Sequence, residues 1–136
     1  MERFLNILAS LLLLFNGIGA IYGGWNLMAH PDGSSIQLSM EWLNPTPFTS
    51  YLLPGLVLFI FNGLMSFFVL GFVIMRHKLA PGLIQIQGII LSVWILVQIM
   101  MIQTVYFLHW IMLGIGLLLI LIGRYIYILA IVKKQV

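Results

Sequence analysis

Cysteine is absent from these 136 residues, which excludes disulfides, thiolate metal sites, a cysteine nucleophile and CxxC redox chemistry together. Charge is nearly absent as well. Only 7% of the chain is Asp, Glu, Lys or Arg and 62% is hydrophobic, whereas a soluble domain carries roughly 25% charged residues. The three acids are Glu2, Asp32 and Glu41. None lies inside a long apolar run, so no intramembrane carboxylate is expected for proton coupling or general acid–base work. Ser10, Ser66 and Ser92 lie within apolar runs that hold no His or Lys to activate them, which disfavours a serine hydrolase. His30, Asp32, Glu41 and His109 fall on the outer face, where they could converge as metal ligands, but no HxxxH or HExxH spacing joins them. No catalytic residue, metal or cofactor is therefore expected, and the chain reads as non-enzymatic.

What the chain does have is four long apolar runs, at about 4–24, 52–75, 82–104 and 108–130, each near the ~20 residues that cross a ~30 Å hydrocarbon core. Every Lys and Arg falls on one side of the resulting topology. Arg3 precedes the first run, Arg76 and Lys78 separate the second from the third, and Arg124, Lys133 and Lys134 close the fourth. The segments on the other side, 25–51 and the turn near 105–108, hold none. The positive-inside rule then places both termini in the cytoplasm. The fold expected is an all-α membrane protein, a four-transmembrane-helix bundle forming one domain over 1–136. The net charge of +3 is spread over span ends, where it sets topology near anionic headgroups, so nucleic acid is not an expected partner. Gly17 to Ala20 resembles a signal-peptide cleavage site, but the apolar character runs on through Tyr22, too long for a signal core, and a retained first span is expected.

One loop, 25–51, is long enough to hold structure. Pro31-Asp32-Gly33 signals a turn. Ile36, Leu38, Met40 and Trp42 alternate with polar residues, as in a short strand or in an irregular segment docked on the bilayer through Trp25, Trp42, Phe48 and Tyr51. Thr46-Pro47 is expected to cap and start a short interfacial helix, which Pro54 should then bend or break.

Inside the spans the small and polar residues carry the information, because hydrocarbon offers no hydrogen-bond partner. Asn6, Ser10, Gly17, Ala20 and Gly24 share a stripe of the first span, flanked by Asn16 and Gly23. Gly19 with Gly23, and Ala20 with Gly24, form small-xxx-small pairs suited to close helix contact. Gly55, Asn62 and Ser66 share a stripe of the second span. The helix-packing set expected is Gly17, Ala20, Gly24 and Gly55. In the third span, Gln85, Gly88, Ser92 and Gln103 oppose Gln87, Trp94 and Gln98. Either both faces meet protein or a cavity, or the glutamines near the ends reach for headgroups. Asn16, Asn62, Trp94 and Gln98 are the candidate ligand-binding residues, expected to converge in the outer half of the bundle on a polar spot with an apolar wall.

The run Gly17-Ile-Gly-Ala-Ile-Tyr-Gly-Gly24, then Pro31-Asp-Gly33, Pro47-Phe48, Tyr51-Leu52, Pro54-Gly55, Asn62-Gly63 and Trp94-Ile95 with Gln98 resembles an uncharacterised family of small four-span bacterial membrane proteins. The likeness covers most of the chain. A looser similarity to DoxX-like proteins extends to size and topology. The resemblance implies a bacterial inner-membrane location and carries over no catalytic residue. Two functions are expected from different classes: an accessory or oligomerising subunit of a larger membrane complex, or a protein that binds or transports a lipid or small hydrophobic molecule through an outward-facing pocket.

Overall fold

The computed structural model describes residues 1–44, 46–102 and 105–135, and among them every regular element is helical. Four helices are long and apolar enough to cross a membrane: α1 Glu2–Ala29, α2 Leu52–Ile74, α3 Ala80–Ile102 and α4 Phe107–Gln135. At 1.5 Å per residue the shorter two, α2 and α3 at 23 residues each, are about 34 Å long and still span the hydrocarbon. Many large apolar side chains of the four are exposed on the outside of the bundle, Phe4, Leu11, Ile18, Phe68 and Leu121 among them. That is the surface a bilayer solvates. The Glu2 carboxylate accepts from Lys133 Nζ at 2.5 Å, so the two ends of the chain lie at the same end of the bundle, with the 75–79 turn between α2 and α3 there too.

Close packing is organised in two helix pairs. In the first, α1 meets α2 at its glycines. A Cβ on Gly24 would stand 2.8 Å from Gly55 O and 2.7 Å from Phe59 Cβ, and one on Gly55 would stand 2.6 Å from Leu27 Cβ. Gly17 faces the Phe67 ring and Ala20 is buried beside it in the same stripe. Gly19 differs from expectation. A Cβ there meets nothing within 4 Å, because Gly19 lies about 100° from Ala20 on the helix circumference and looks outward. In the second pair, a Cβ on Gly88 would stand 2.5 Å from Gly116 O, and one on Gly123 would stand 2.6 Å from Pro81 O. Without side chains at these points the backbones approach and gain dispersion contact, the main attraction between helices in lipid.

The four helices close together at the chain-terminal end, where Ala9, Leu13, Val69, Val73, Ile84, Leu119, Ile122 and Ile126 form one buried cluster. At the opposite end the 30–51 loop folds inward. Leu27, Leu43, Tyr51 and Met101 make a second cluster there. The Pro31-Asp32-Gly33 turn forms, with Gly33 at φ 78° and a Cβ on it only 2.8 Å from Leu38 Cβ, a position suited to glycine alone. Asp32 Oδ1 accepts from Ser34 N at 3.0 Å, and that backbone N–H holds the Asp32 carboxyl below its usual range.

Of the two readings of the segment around Ile36 to Trp42 the strand does not form, since Ser34–Ile36 and Met40–Leu43 are 3-10 turns. Three local expectations are corrected. Thr46-Pro47 starts no helix, since the Thr46 hydroxyl donates back to Leu43 O and accepts from Phe48 N. Pro54 therefore has no interfacial helix to bend or break, and stands as the third residue of α2, which begins at Leu52 and where a missing N–H costs nothing. Tyr51 is not an interfacial anchor. It is 2% exposed, its N–H donates to Pro31 O at 2.8 Å and its hydroxyl to Ser39 O at 2.6 Å.

Candidate functional site: a lateral groove between the second and third helices

The middle of α2 is not α-helical. Leu58–Leu64 is a π-helical stretch closed by Met65 N–H donating to Ile60 O, five residues back instead of four, a rare geometry that recurs at functional sites. Side chains of both neighbouring helices bond to this widened segment. From α1, Asn16 Nδ2 donates to Ser66 Oγ at 2.8 Å and to Asn62 O at 3.4 Å. From α3, Gln87 Nε2 donates to Phe61 O at 3.2 Å. Gln87 is 0% exposed, which overturns the headgroup reading for this residue and leaves one polar face of α3 directed at α2. The other face, Gly88 and Ser92, packs on Gly116 of α4. Gln85 donates to Pro81 O within its own helix, and Gln103 lies outside the described residues.

Beside the π-helical stretch a groove of about 420 Å³ separates α2 from α3, within the ~300–1,000 Å³ typical of small-molecule pockets. Its walls are Pro54, Val57, Phe61 and Asn62 on α2 and Ile89, Ile90, Val93, Trp94, Val97 and Met101 on α3, with Phe48 of the loop across the outer end. Phe61, Ile89 and Val93 are 50%, 50% and 54% exposed, so the groove opens sideways onto the lipid-facing surface. Along α3 it extends from Ile89 to Met101, 12 residue steps, about 18 Å.

The four candidate ligand-binding residues do not converge on one spot. Asn62 and Trp94 border the groove. Asn16 does not, since its amide bonds Ser66 Oγ and the Asn62 carbonyl on the α1 side. Gln98 is partly buried and is not part of the lining, being about 40° around the helix from Trp94 and past the groove's edge. The amides of Asn16 and Asn62 do not bond each other. Asn62 Nδ2 and Oδ1, Trp94 Nε1 and Gln87 Oε1 are buried without a partner among the described residues, and in hydrocarbon each such atom costs free energy that water cannot recover. The groove's free surface is nearly all hydrocarbon, and the side-chain polar atoms of Asn62 and Trp94, though these residues border it, are buried.

Gln87, Ser66 and the Phe61 carbonyl were not among the residues the sequence singled out for this site. The spacing of Gln87, Ile90 and Trp94, at i, i+3 and i+7, was the available signal. Among the described residues, no group of three or more His, Asp or Glu side chains is placed to share a metal ion.

Four helices of this length and apolarity among the described residues define a multi-pass membrane protein. No protein family, no curated protein and no solved structure matches it.

Proposed function

We propose that this is a non-enzymatic protein of the bacterial inner membrane, with both termini cytoplasmic, that binds a lipid chain or small hydrophobic molecule in the groove between α2 and α3. The observation that carries the reading is the groove itself: a hydrocarbon-surfaced cleft of about 420 Å³, open sideways to the bilayer and bordered by two residues, Asn62 and Trp94, whose polar groups are buried without partners among the described residues. Ligands enter such a cleft from the lipid phase without crossing water. The orientation rests on the six basic residues, all toward the end of the bundle that holds the chain termini and the 75–79 turn.

Native mass spectrometry of the protein, extracted with its own membrane lipids, tests this. Wild type should retain a small apolar mass at one per chain, and Ile90→Trp, which fills the groove, should release it. A bare chain in both cases would remove the binding function.

The second reading, an accessory or oligomerising subunit, has a specific observation in its favour. Gly19 faces outward between exposed Phe15 and Tyr22 with nothing within 4 Å of its missing Cβ, a notch in which a partner helix fits. The same spectra report stoichiometry, and a defined oligomer without retained ligand favours this reading.

A further inference from the structure

The chemistry of the groove's wall narrows the class of ligand, on the reading that the groove is a binding site. Asn16 and Gln87, the two amides that flank the π-helical stretch, are engaged with the Asn62 and Phe61 carbonyls. The Asn62 amide is left over. Among the described residues its donor and its acceptor both lack partners, as does the Trp94 N–H, while Asn62 is 0% exposed. Asn62 is the innermost α2 residue of the wall and Trp94 stands about midway along the α3 wall between Ile89 and Met101, whereas Phe48 and Met101 stand at the outer end.

No charge is available to balance a charged ligand. Of the nine Lys, Arg, Asp and Glu residues, eight lie in connecting segments or in the terminal turns of helices, and Arg124 stands level with Pro81 at the start of α3. An ammonium, phosphate or carboxylate head at Asn62 would therefore be buried with no counter-ion. A head that only accepts would satisfy Asn62 Nδ2 or Trp94 Nε1 and leave Asn62 Oδ1 orphaned. A neutral head that both donates and accepts satisfies the wall on both counts. Hydroxyl and primary amide groups have this property.

We propose that the groove binds an uncharged single-chain amphiphile head first, its hydroxyl or amide head on Asn62 and Trp94 near the bilayer midplane and its hydrocarbon tail running outward past Val97 to Phe48 and Met101. Asn62 turns about its side-chain torsions to bring its amide through the groove surface when the head arrives. Asn16 and Gln87 are positioning residues, holding the widened turn that puts Asn62 at the groove.

The test uses the full chain in detergent and four probes of equal chain length, dodecanol, dodecanamide, dodecyl methyl ether and dodecane, with occupancy read by native mass spectrometry. Dodecanol and dodecanamide should bind at least about tenfold more tightly than dodecane, with the ether between them. Asn62→Leu should reduce that preference to about unity while dodecane still binds. Trp94→Phe, which removes only the indole N–H and keeps an aromatic wall, should reduce it in part, and gives a second route should Asn62→Leu fold poorly. Equal binding of dodecane and dodecanol to wild type overturns the head assignment and leaves the groove reading standing. Binding of none of the four overturns both.

Discussion

Two buried asparagines on adjacent helices, Asn16 and Asn62, should respond in opposite directions to the same substitution. The Asn16 Nδ2 donates to Ser66 Oγ at 2.8 Å and to the Asn62 carbonyl at 3.4 Å, so Asn16→Leu deletes one good interhelical bond and one long one. Interhelical side-chain hydrogen bonds in membranes average about 0.6 kcal/mol and reach about 1.7, and the larger Leu methyl groups must also fit against Ser66, so a loss of about 1–2 kcal/mol is expected. Asn62 makes no side-chain bond among the described residues. Replacing an unsatisfied buried polar group with an apolar one of similar shape recovers its desolvation penalty, about 1–3 kcal/mol, so Asn62→Leu should stabilise the ligand-free protein by about 1–2 kcal/mol. For a chain of this size each kcal/mol moves the melting temperature by roughly 3–5 °C. Thermal unfolding of wild type, Asn16→Leu and Asn62→Leu in delipidated detergent solution measures the contrast. If both substitutions destabilise alike, Asn62 is structural glue like Asn16 and the reasoning about its free amide is wrong.

Gly24→Ala should lower the melting temperature by the equivalent of about 1–3 kcal/mol, because its Cβ would meet the backbone of Gly55 and Phe59 at 2.8 Å. Gly19→Ala, with open space around it, should be neutral or stabilising by up to about 1 kcal/mol through helix propensity; equal losses would remove the glycine-contact account. Burial raises the Tyr51 hydroxyl above its ordinary pKa of 10.0, so the folded loop holds the proton more tightly than the unfolded chain does. Its stabilisation is complete below about pH 10 and is lost as pH rises through the raised value. A spin label at Ser35→Cys should gain mobility above pH 10 in wild type and be mobile already at neutral pH in Tyr51→Phe. Ser35→Cys and Gln135→Cys, in a chain with no other cysteine, should label from opposite sides of the membrane, position 35 from outside; labelling of both from one side would break the topology.

The spans were legible because hydropathy and charge act over about 20 residues and outweigh local detail. Their ends were not. The first helix continues past Gly24 to Ala29 and the fourth past Ala130 to Gln135, since a helix does not stop where its residues leave hydrocarbon. Gly24 and Gly55 were readable as a contact from small-residue spacing, but Gly19 shares that spacing with Gly23 and touches nothing, because spacing marks a face without saying what covers it. The π-helical stretch was invisible to a reading that assumed 100° per residue throughout. Gln98 does share a face with Trp94 on the regular α3, but the groove's edge falls between them, and periodicity gave no hint that the Asn16 amide would go to a carbonyl and a serine while Asn62 was left unpaired. Gln87, read as a residue reaching for headgroups or for protein, became fully buried only through its bond to Phe61 O, a carbonyl that sequence periodicity does not single out.

The central claim is that an uncharged chain lies in the cleft between α2 and α3 with its head at Asn62. A crystal structure grown from a lipidic phase containing ω-bromododecanol tests it directly, because the anomalous signal of bromine fixes the tail end. One strong bromine peak is expected between Phe48 and Met101, with hydroxyl density within hydrogen-bonding distance of the Asn62 amide. Bromine found only along the outer faces of the helices, with the groove empty or closed by collapse of Phe61 onto Trp94, would contradict it.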